Sequence, residues 1–286
     1  MEPNTPEVMI SVCCITYNHE KFISNAVEGF LMQRTDFKYE ILIGEDCSSD
    51  GTRAILDEYA SKYPDRIQLI TSTSNVGANN NAIRTIKAAK GKYIAFCDGD
   101  DFWTNSNKLQ KQVDFLEDNP DYVICCHYYK EIDSPGNLLY VNPNPVMLEY
   151  DYNDLIVNRQ AETATSSLVV RKDCIVDLFD QEWYLNCNAA DKFLKLFATF
   201  HSRKKIYVIP EVMSCYRKHK GGVWSMKSAE FLRKKQLSDF NIIINNFHHN
   251  FSQKLALFIF YLRRYFLFEV RNTRFTNAVQ TMRSIF

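Results

Sequence analysis

Apolar and polar positions form short alternating blocks over the first 120 residues, and the period switches regularly from block to block. Val8–Ile15 is an apolar run, the pattern of a strand buried on both faces. Helical spacing follows over Lys21–Gln33, then a strand over Glu40–Gly44. The spacing predicts a helix from near Asp50 to Tyr63, where Pro64 stops it. Ile67–Thr71 reads as a strand, Asn79–Ala89 as a helix closed by Gly91, and Lys92–Cys97 as another strand. Lys108–Glu117 is a further helix, ended by Asn119–Pro120.

Strand–helix alternation with short connections implies right-handed crossovers and a mostly parallel, Rossmann-like α/β sheet flanked by helices. Such sheets bind ligands beyond the carboxyl ends of their strands. The residues there are Thr16-Tyr17-Asn18, Glu45-Asp46 and Asp98-Gly99-Asp100-Asp101, so carboxylates should converge on one sheet edge. Beyond residue 120 the alternation loosens. Tyr122–Tyr129 and Ser166–Arg171 read as strands, Ala189–Phe200 as a helix, and Lys205–Ile209 with Val212–Arg217 as two short strands around Pro210. From Ser225 the pattern is helical and rich in aromatic residues.

The acidic turn is the strongest local signal. Three carboxylates in four residues after a buried strand repel one another unless a cation lies between them, and hard oxygen ligands suit Mg²⁺ or Mn²⁺. Gly99 lets the backbone turn tightly and a ligand approach. A solvated acidic turn capping the next helix would have the same composition, so the turn alone leaves both readings open.

Its surroundings decide between them. The run Lys92–Trp103, KYIAFCDGDDFW, followed by KLQKQVDFL from Lys108, resembles the D-x-D region of glycosyltransferase family 2. Ile10–Asn18, ISVCCITYN, is similar to the family's opening strand and T-Y-N turn, and Glu40–Thr52, EILIGEDCSSDGT, to its second strand and D-D-G-S-x-D-G-T pattern. Ser74–Gly77, SNVG, matches the short N-x-G turn after the third strand. These motifs cover roughly residues 8–120 in order. The resemblance implies a GT-A fold over residues 1–225, with a nucleotide-binding half (1–120) and an acceptor-binding half (121–225), and a helical C-terminal extension over 226–286. It further implies that Thr16 and Tyr17 lie against the nucleoside, that Asp46 meets the base, and that Asp98 and Gly99 line the donor pocket. Asp100 is the implied principal metal ligand, with Asp98 beside it and Asp101 serving sugar or metal. One departure is that Asn79-Asn80-Asn81 stands where many relatives carry an Arg near the diphosphate; Arg84 is the nearest cation.

In the second half, Ala189–Phe197, AADKFLKLF, resembles the helix that opens with a G-D-W or E-D-W element in the family, and Asp191 matches its general base. Inversion at an anomeric carbon needs such a base on the acceptor hydroxyl. Ile206–Trp224 resembles the segment Y-I-x-E-V-x-x-x-Y-R-x-H-x-G-G-V-W. His219 there matches a position that closes the metal site or touches the diphosphate, while Arg217 and Lys218 are candidate sugar or diphosphate contacts and Gly221-Gly222 allow a lid. The other five histidines are expected to be structural or exposed.

Composition adds an asymmetry. The net charge is zero, yet residues 201–286 carry 16 Lys and Arg against Glu211, Glu230, Asp239 and Glu269. A basic tail behind an acidic front suits an anionic partner or mutual attraction between the two parts. Leu255–Phe268 is apolar but interrupted by Arg263-Arg264 and too short for a bilayer. It suits a helix packed on the domain, a homodimer interface, or an interfacial helix on anionic lipid. Nine scattered cysteines without a C-x-x-C, and an acidic N-terminal stretch unlike a signal peptide, lead us to expect a reduced cytoplasmic setting, extending to the inner face of the membrane. The implied activity is metal-assisted, inverting transfer from a nucleotide-diphosphate sugar, UDP-sugar first, to a glycan or polyprenyl-linked glycan. No nucleic-acid partner is expected. The rival readings are a degenerate nucleotide- or carbohydrate-binding module and a nucleotidyltransferase, whose Gly-rich basic loop is missing from Thr16–Glu20.

Overall fold

The computed structural model describes residues 8–222 and 227–286. The expected break between catalytic domain and extension, together with Trp224 and Ser225, lies outside the described residues, as does most of the acidic N-terminal stretch.

The nucleotide-side half follows the predicted alternation. Its elements are β1 (Ile10–Thr16), α1 (Ile23–Leu31), β2 (Tyr39–Glu45), α2 (Thr52–Lys62), β3 (Ile67–Thr71), α3 (Ala78–Lys87), β4 (Tyr93–Phe96), β5 (Phe102–Trp103) and α4 (Lys108–Asp118). The second half contains β6 (Tyr122–Asp133), β7 (Leu138–Val141), β8 (Leu148–Tyr150), α5 (Tyr152–Ile156), β9 (Val169–Arg171), α6 (Ala190–Ser202) and β10 (Lys205–Lys218). Four further helices follow, α7 (Ala229–Asn246), α8 (Phe251–Tyr261), α9 (Leu267–Arg271) and α10 (Phe275–Ile285), with a π-helical turn over Leu262–Phe266 joining α8 to α9.

All ten strands belong to one sheet, whose main path runs β3-β2-β1-β4-β9-β6-β10-β5. β3, β2, β1 and β4 are mutually parallel as expected. β9 then runs antiparallel between β4 and β6, so β6, and with it β10, which pairs with β6 in parallel, keep the direction of the first four strands. The two short strands predicted around Pro210 are one strand, β10, whose ladder with β6 shifts register between Ile209 and Val212. Pro210 has no N–H to give to a ladder, and a register irregularity accommodates it.

Two cores lie on opposite faces of the sheet because successive side chains alternate. On one face, Ile10, Val12 and Cys14 of β1 meet Ile23, Val27 and Phe30 of α1 and Leu109 and Val113 of α4. On the other, Cys13 and Leu42 join Phe193 and Leu196 of α6, and Leu237, Phe240, Leu257 and Tyr261 of the C-terminal helices. The extension therefore shares a core with the sheet. All nine cysteines are free, and seven are buried. No helix among the described residues is long and apolar enough to cross a membrane.

Candidate active site

β1 pairs with β2 on one side and β4 on the other, so the sheet order switches there, the point at whose carboxyl end open α/β sheets bind ligands. The predicted polar strand ends meet there. Thr16 is buried and Tyr17 is 43% exposed. The chain then turns through Asn18 at φ +56°, a left-handed conformation that Asn tolerates better than most residues. Asn18 Oδ1 accepts from Ser49 N (2.8 Å), and His19 N donates to Thr52 Oγ1 (2.8 Å), which ties the turn to the start of α2.

Asp46 is buried at the end of β2, and both its oxygens accept main-chain amides, Val76 N at 2.8 Å and Gly77 N at 3.0 Å. Its carboxylate thus holds the SNVG turn in place. Gly77 needs to be glycine for its φ of +85°. Arg84 Nη2 donates to Glu45 O at 2.6 Å and lies 3.9 Å from Asp46, so this cation does reach the same sheet edge.

The acidic turn is packed against the β1 end. Gly99 N donates to Ile15 O (2.9 Å), and a Cβ at Gly99 would lie 2.7 Å from Thr16 Oγ1. The three acids then part company. Asp101 is 2% exposed and accepts from Arg217 N at 2.9 Å; burial and then the charges of Asp100 and Asp98 push its pKa well above the carboxylate range. Burial, and then the charges of Asp100 and Asp191, push Asp98 up to about 8. Burial works against ionisation of Asp100 as well, but contact with His219 and the charge of His19 hold its pKa below the usual value.

His219 arrives through long-range pairing. Cys215 on β10 lies opposite Phe102 on β5, which carries the strand's continuation back over the acidic turn. His219 Nε2 comes within 2.9 Å of Asp100 Oδ2. Arg217 is turned inward: it is 6% exposed, its Nε donates to Asp100 O at 3.1 Å, and its guanidinium lies 4.7 Å from the Phe22 ring centroid. It braces the acidic turn from within. Lys218 is paired with Glu131 at 2.5 Å.

His19, expected to be structural or exposed, stands 3.9 Å from the same carboxylate oxygen of Asp100 that His219 approaches. Ligand atoms of His19, Asp100 and His219 all lie within 4.8 Å of one another, the one such group among the described residues. Asp98, expected beside Asp100, is not in that group. The donor set fits a divalent cation with nitrogen tolerance. Asp191 sits in the first turn of α6, where the N-cap residue Ala189 makes no side-chain cap bond. Its Oδ2 pairs with Lys195 at 2.9 Å, and its side chain remains 32% exposed.

The description Glycosyl transferase family 2 matches residues 11–171, more than half of the chain. The chain belongs to glycosyltransferase family 2. An uncharacterized protein of Mycobacterium tuberculosis is 34% identical over 75% of this chain, which spans only 60% of that relative's length. The Escherichia coli enzyme named UDP-Glc:alpha-D-GlcNAc-diphosphoundecaprenol beta-1,3-glucosyltransferase WfaP is 27% identical, over 80% of this chain and 85% of its own. Among solved structures, Staphylococcus aureus TarS residues 1–349 in complex with UDP-GlcNAc superposes with a TM-score of 0.67 at 20% identity, covering 91% of this chain and 73% of that one. The mannosyltransferase PcManGT of Pyrobaculum calidifontis, in complex with GDP-Man and Mn²⁺, gives a TM-score of 0.60 at 17% identity, covering 88% and 73%. The fold of this family 2 chain is thus the GT-A fold expected from the sequence.

Proposed function

We propose that the chain transfers a sugar with inversion from a nucleotide diphosphate, UDP-sugar first, to a hydroxyl of a glycan or polyprenyl-linked glycan. The observation that carries this reading is the approach of His219 to Asp100 at the carboxyl end of the parallel strands. In the proposed reaction the acceptor oxygen bonds to the anomeric carbon as the bond from that carbon to the diphosphate breaks. Asp191 takes the hydroxyl proton, and approach from the face opposite the leaving group inverts the centre. A divalent metal, when bound by Asp100 and His219, supplies positive charge against the departing diphosphate. Tyr17 offers an exposed ring face to the base. Thr16 and Gly99 shape the pocket floor beneath it. Asp46 acts through the Val76–Gly77 turn that it holds.

The test is thermal stabilisation by UDP, GDP, CDP, dTDP and ADP, each with and without Mn²⁺, since a ligand selective for the folded state raises Tm. A metal-dependent rise with one nucleotide, absent in Asp100→Ala, supports the reading and identifies the base. No rise with any nucleotide overturns it in favour of a degenerate binding module.

A second reading concerns the membrane. Residues 227–286 carry ten Lys and Arg against Glu230, Asp239 and Glu269, and the last two acids are buried. The surface of these helices is accordingly basic, and it also exposes Phe251 (75%), Leu267 (56%) and Phe275 (59%). Basic charge interleaved with exposed aromatic and aliphatic side chains suits an anionic lipid surface. Sedimentation with phosphatidylglycerol vesicles, weakened in Phe251→Ser/Phe275→Ser, supports it; equal pelleting with neutral and anionic vesicles, or none, overturns it.

A further inference from the structure

We infer that His19 completes a protein-only metal site with Asp100 and His219, one that takes a divalent transition metal such as Mn²⁺ before any nucleotide binds and in preference to Mg²⁺. The inference rests on the reading that Asp100 and His219 hold a metal; the third ligand and its consequences are new.

The geometry is prepared on three sides. His19 Nε2 lies 3.9 Å from Asp100 Oδ2, and His219 Nε2 lies 2.9 Å from the same oxygen. The two imidazole rings stand edge-to-face with centroids 6.0 Å apart, so both Nε2 atoms face one carboxylate oxygen. Each ring is also braced from behind. His19 Nδ1 is 3.2 Å from Thr16 Oγ1, its main-chain N is fixed by Thr52, and its ring leans on Phe22. Phe22 packs against His219 as well, with centroids 4.9 Å apart. Partners of this kind on the second ring nitrogen orient metal-binding histidines, and losing one typically weakens affinity by ~10- to 100-fold.

Ligand chemistry sets the expected preference. Mg²⁺ is usually held by one or two carboxylates plus substrate phosphates, keeps several waters and dehydrates reluctantly. A site with one carboxylate therefore recruits it well only once a diphosphate is present. Two imidazoles add nitrogen donors, which first-row transition ions accept more readily than Mg²⁺ does. Three side chains would supply only part of a divalent ion's coordination, the rest falling to water or diphosphate oxygens. The site can then be loaded before the donor arrives and still accept diphosphate oxygens.

The experiment uses the full chain, stripped with EDTA and titrated with MnCl₂ without nucleotide. Loss of the free Mn²⁺ electron paramagnetic resonance signal reports binding, and spin-echo modulation reports coordinated imidazole ¹⁴N. We expect one Mn²⁺ per chain without nucleotide, ¹⁴N modulation that is reduced in His19→Ala, and at least ~10-fold weaker Mn²⁺ binding in that variant. A hundredfold excess of Mg²⁺ should leave most of the Mn²⁺ in place. His19→Gln is the companion variant, and a metal-free Tm equal to wild type in either one excludes unfolding as the cause. If Mn²⁺ binds only with UDP present, and His19→Ala binds it as wild type does, the inference fails while the Asp100–His219 reading stands. If Mn²⁺ binds neither with UDP nor without it, both fail.

Discussion

Lys195 Nζ lies 2.9 Å from Asp191 Oδ2 and 2.8 Å from Thr163 O, and Lys195 is 2% exposed. A buried ammonium therefore ties the proposed general base, one turn earlier on the same helix, to the loop before β9. Lys195 is a positioning residue in this view, fixing one carboxylate oxygen so that the group keeps one orientation. Lys195→Met should lower kcat by about 10- to 100-fold, the scale of a small misplacement of a reacting group. Donor KM should change by less than about threefold, because the donor pocket lies on the other half. Lys195→Arg should recover part of kcat. Steady-state kinetics on the three proteins check this, and a loss confined to KM would contradict it.

Asp46 gives a different signature. Its two amide bonds to Val76 and Gly77 are charge-assisted, and such bonds contribute about 1.5–3 kcal/mol each. Asp46→Ala should lower Tm by several degrees and abolish the nucleotide-dependent rise together. Asp46→Asn keeps an acceptor oxygen for one amide and should fall between. Parallel melting curves with and without nucleotide check the pair of effects.

The contrast between these residues explains what could be read from the sequence. Asp46, Asp98 and Asp100 follow apolar runs directly, and a parallel strand end is defined by its own local pattern, so their convergence was legible. Asp191 and His219 were legible only through resemblance, since nothing local says that β10 folds back on the acidic turn; that depends on two residues of β5 pairing with Ser214 and Cys215. The place of His19 beside Asp100 was not legible because it comes from the turn at Asn18 and from packing on Phe22, and neither leaves a periodic trace. The orientation of β9 was hidden for a similar reason: an isolated apolar strand reads alike in both directions.

Gly99→Ala probes the crevice floor. The added Cβ would meet Thr16 Oγ1 at 2.7 Å and Thr16 Cβ at 2.8 Å, so either the acidic turn or the β1 end must shift. Because Gly99 joins Asp98 to Asp100, the shift displaces the carboxylates. Stability should fall by about 1–3 kcal/mol, the range of core overpacking. Mn²⁺-dependent nucleotide stabilisation should fall further than that loss accounts for. Isothermal titration with nucleotide and Mn²⁺, below the variant's melting temperature, separates the two. Unchanged affinity would mean that the turn tolerates the displacement.

Lys108 links this region to pH. It is fully buried, with Nζ 2.7 Å from Gln112 Oε1 and 4.0 Å from the Trp103 ring centroid. Burial lowers its pKa from 10.5 to about 7. An unfolded chain would hold this proton up to its ordinary pKa, so between about 7 and 10.5 the unfolded state binds more protons than the folded one. Stability from this residue must then rise with pH across that window and level off below it, where both states are protonated. The Trp103 face favours the charged form and softens the rise, leaving an expected gain of a few kcal/mol at about 1.4 kcal/mol per pH unit of depression. Lys108→Met removes the titrating group, so the stability difference should shift in favour of wild type as pH increases from 7 to 10 and stay constant between pH 5.5 and 6.5. Urea denaturation of both proteins across that series measures it. Parallel curves throughout would show that Lys108 remains charged in the folded chain, held by the indole and Gln112.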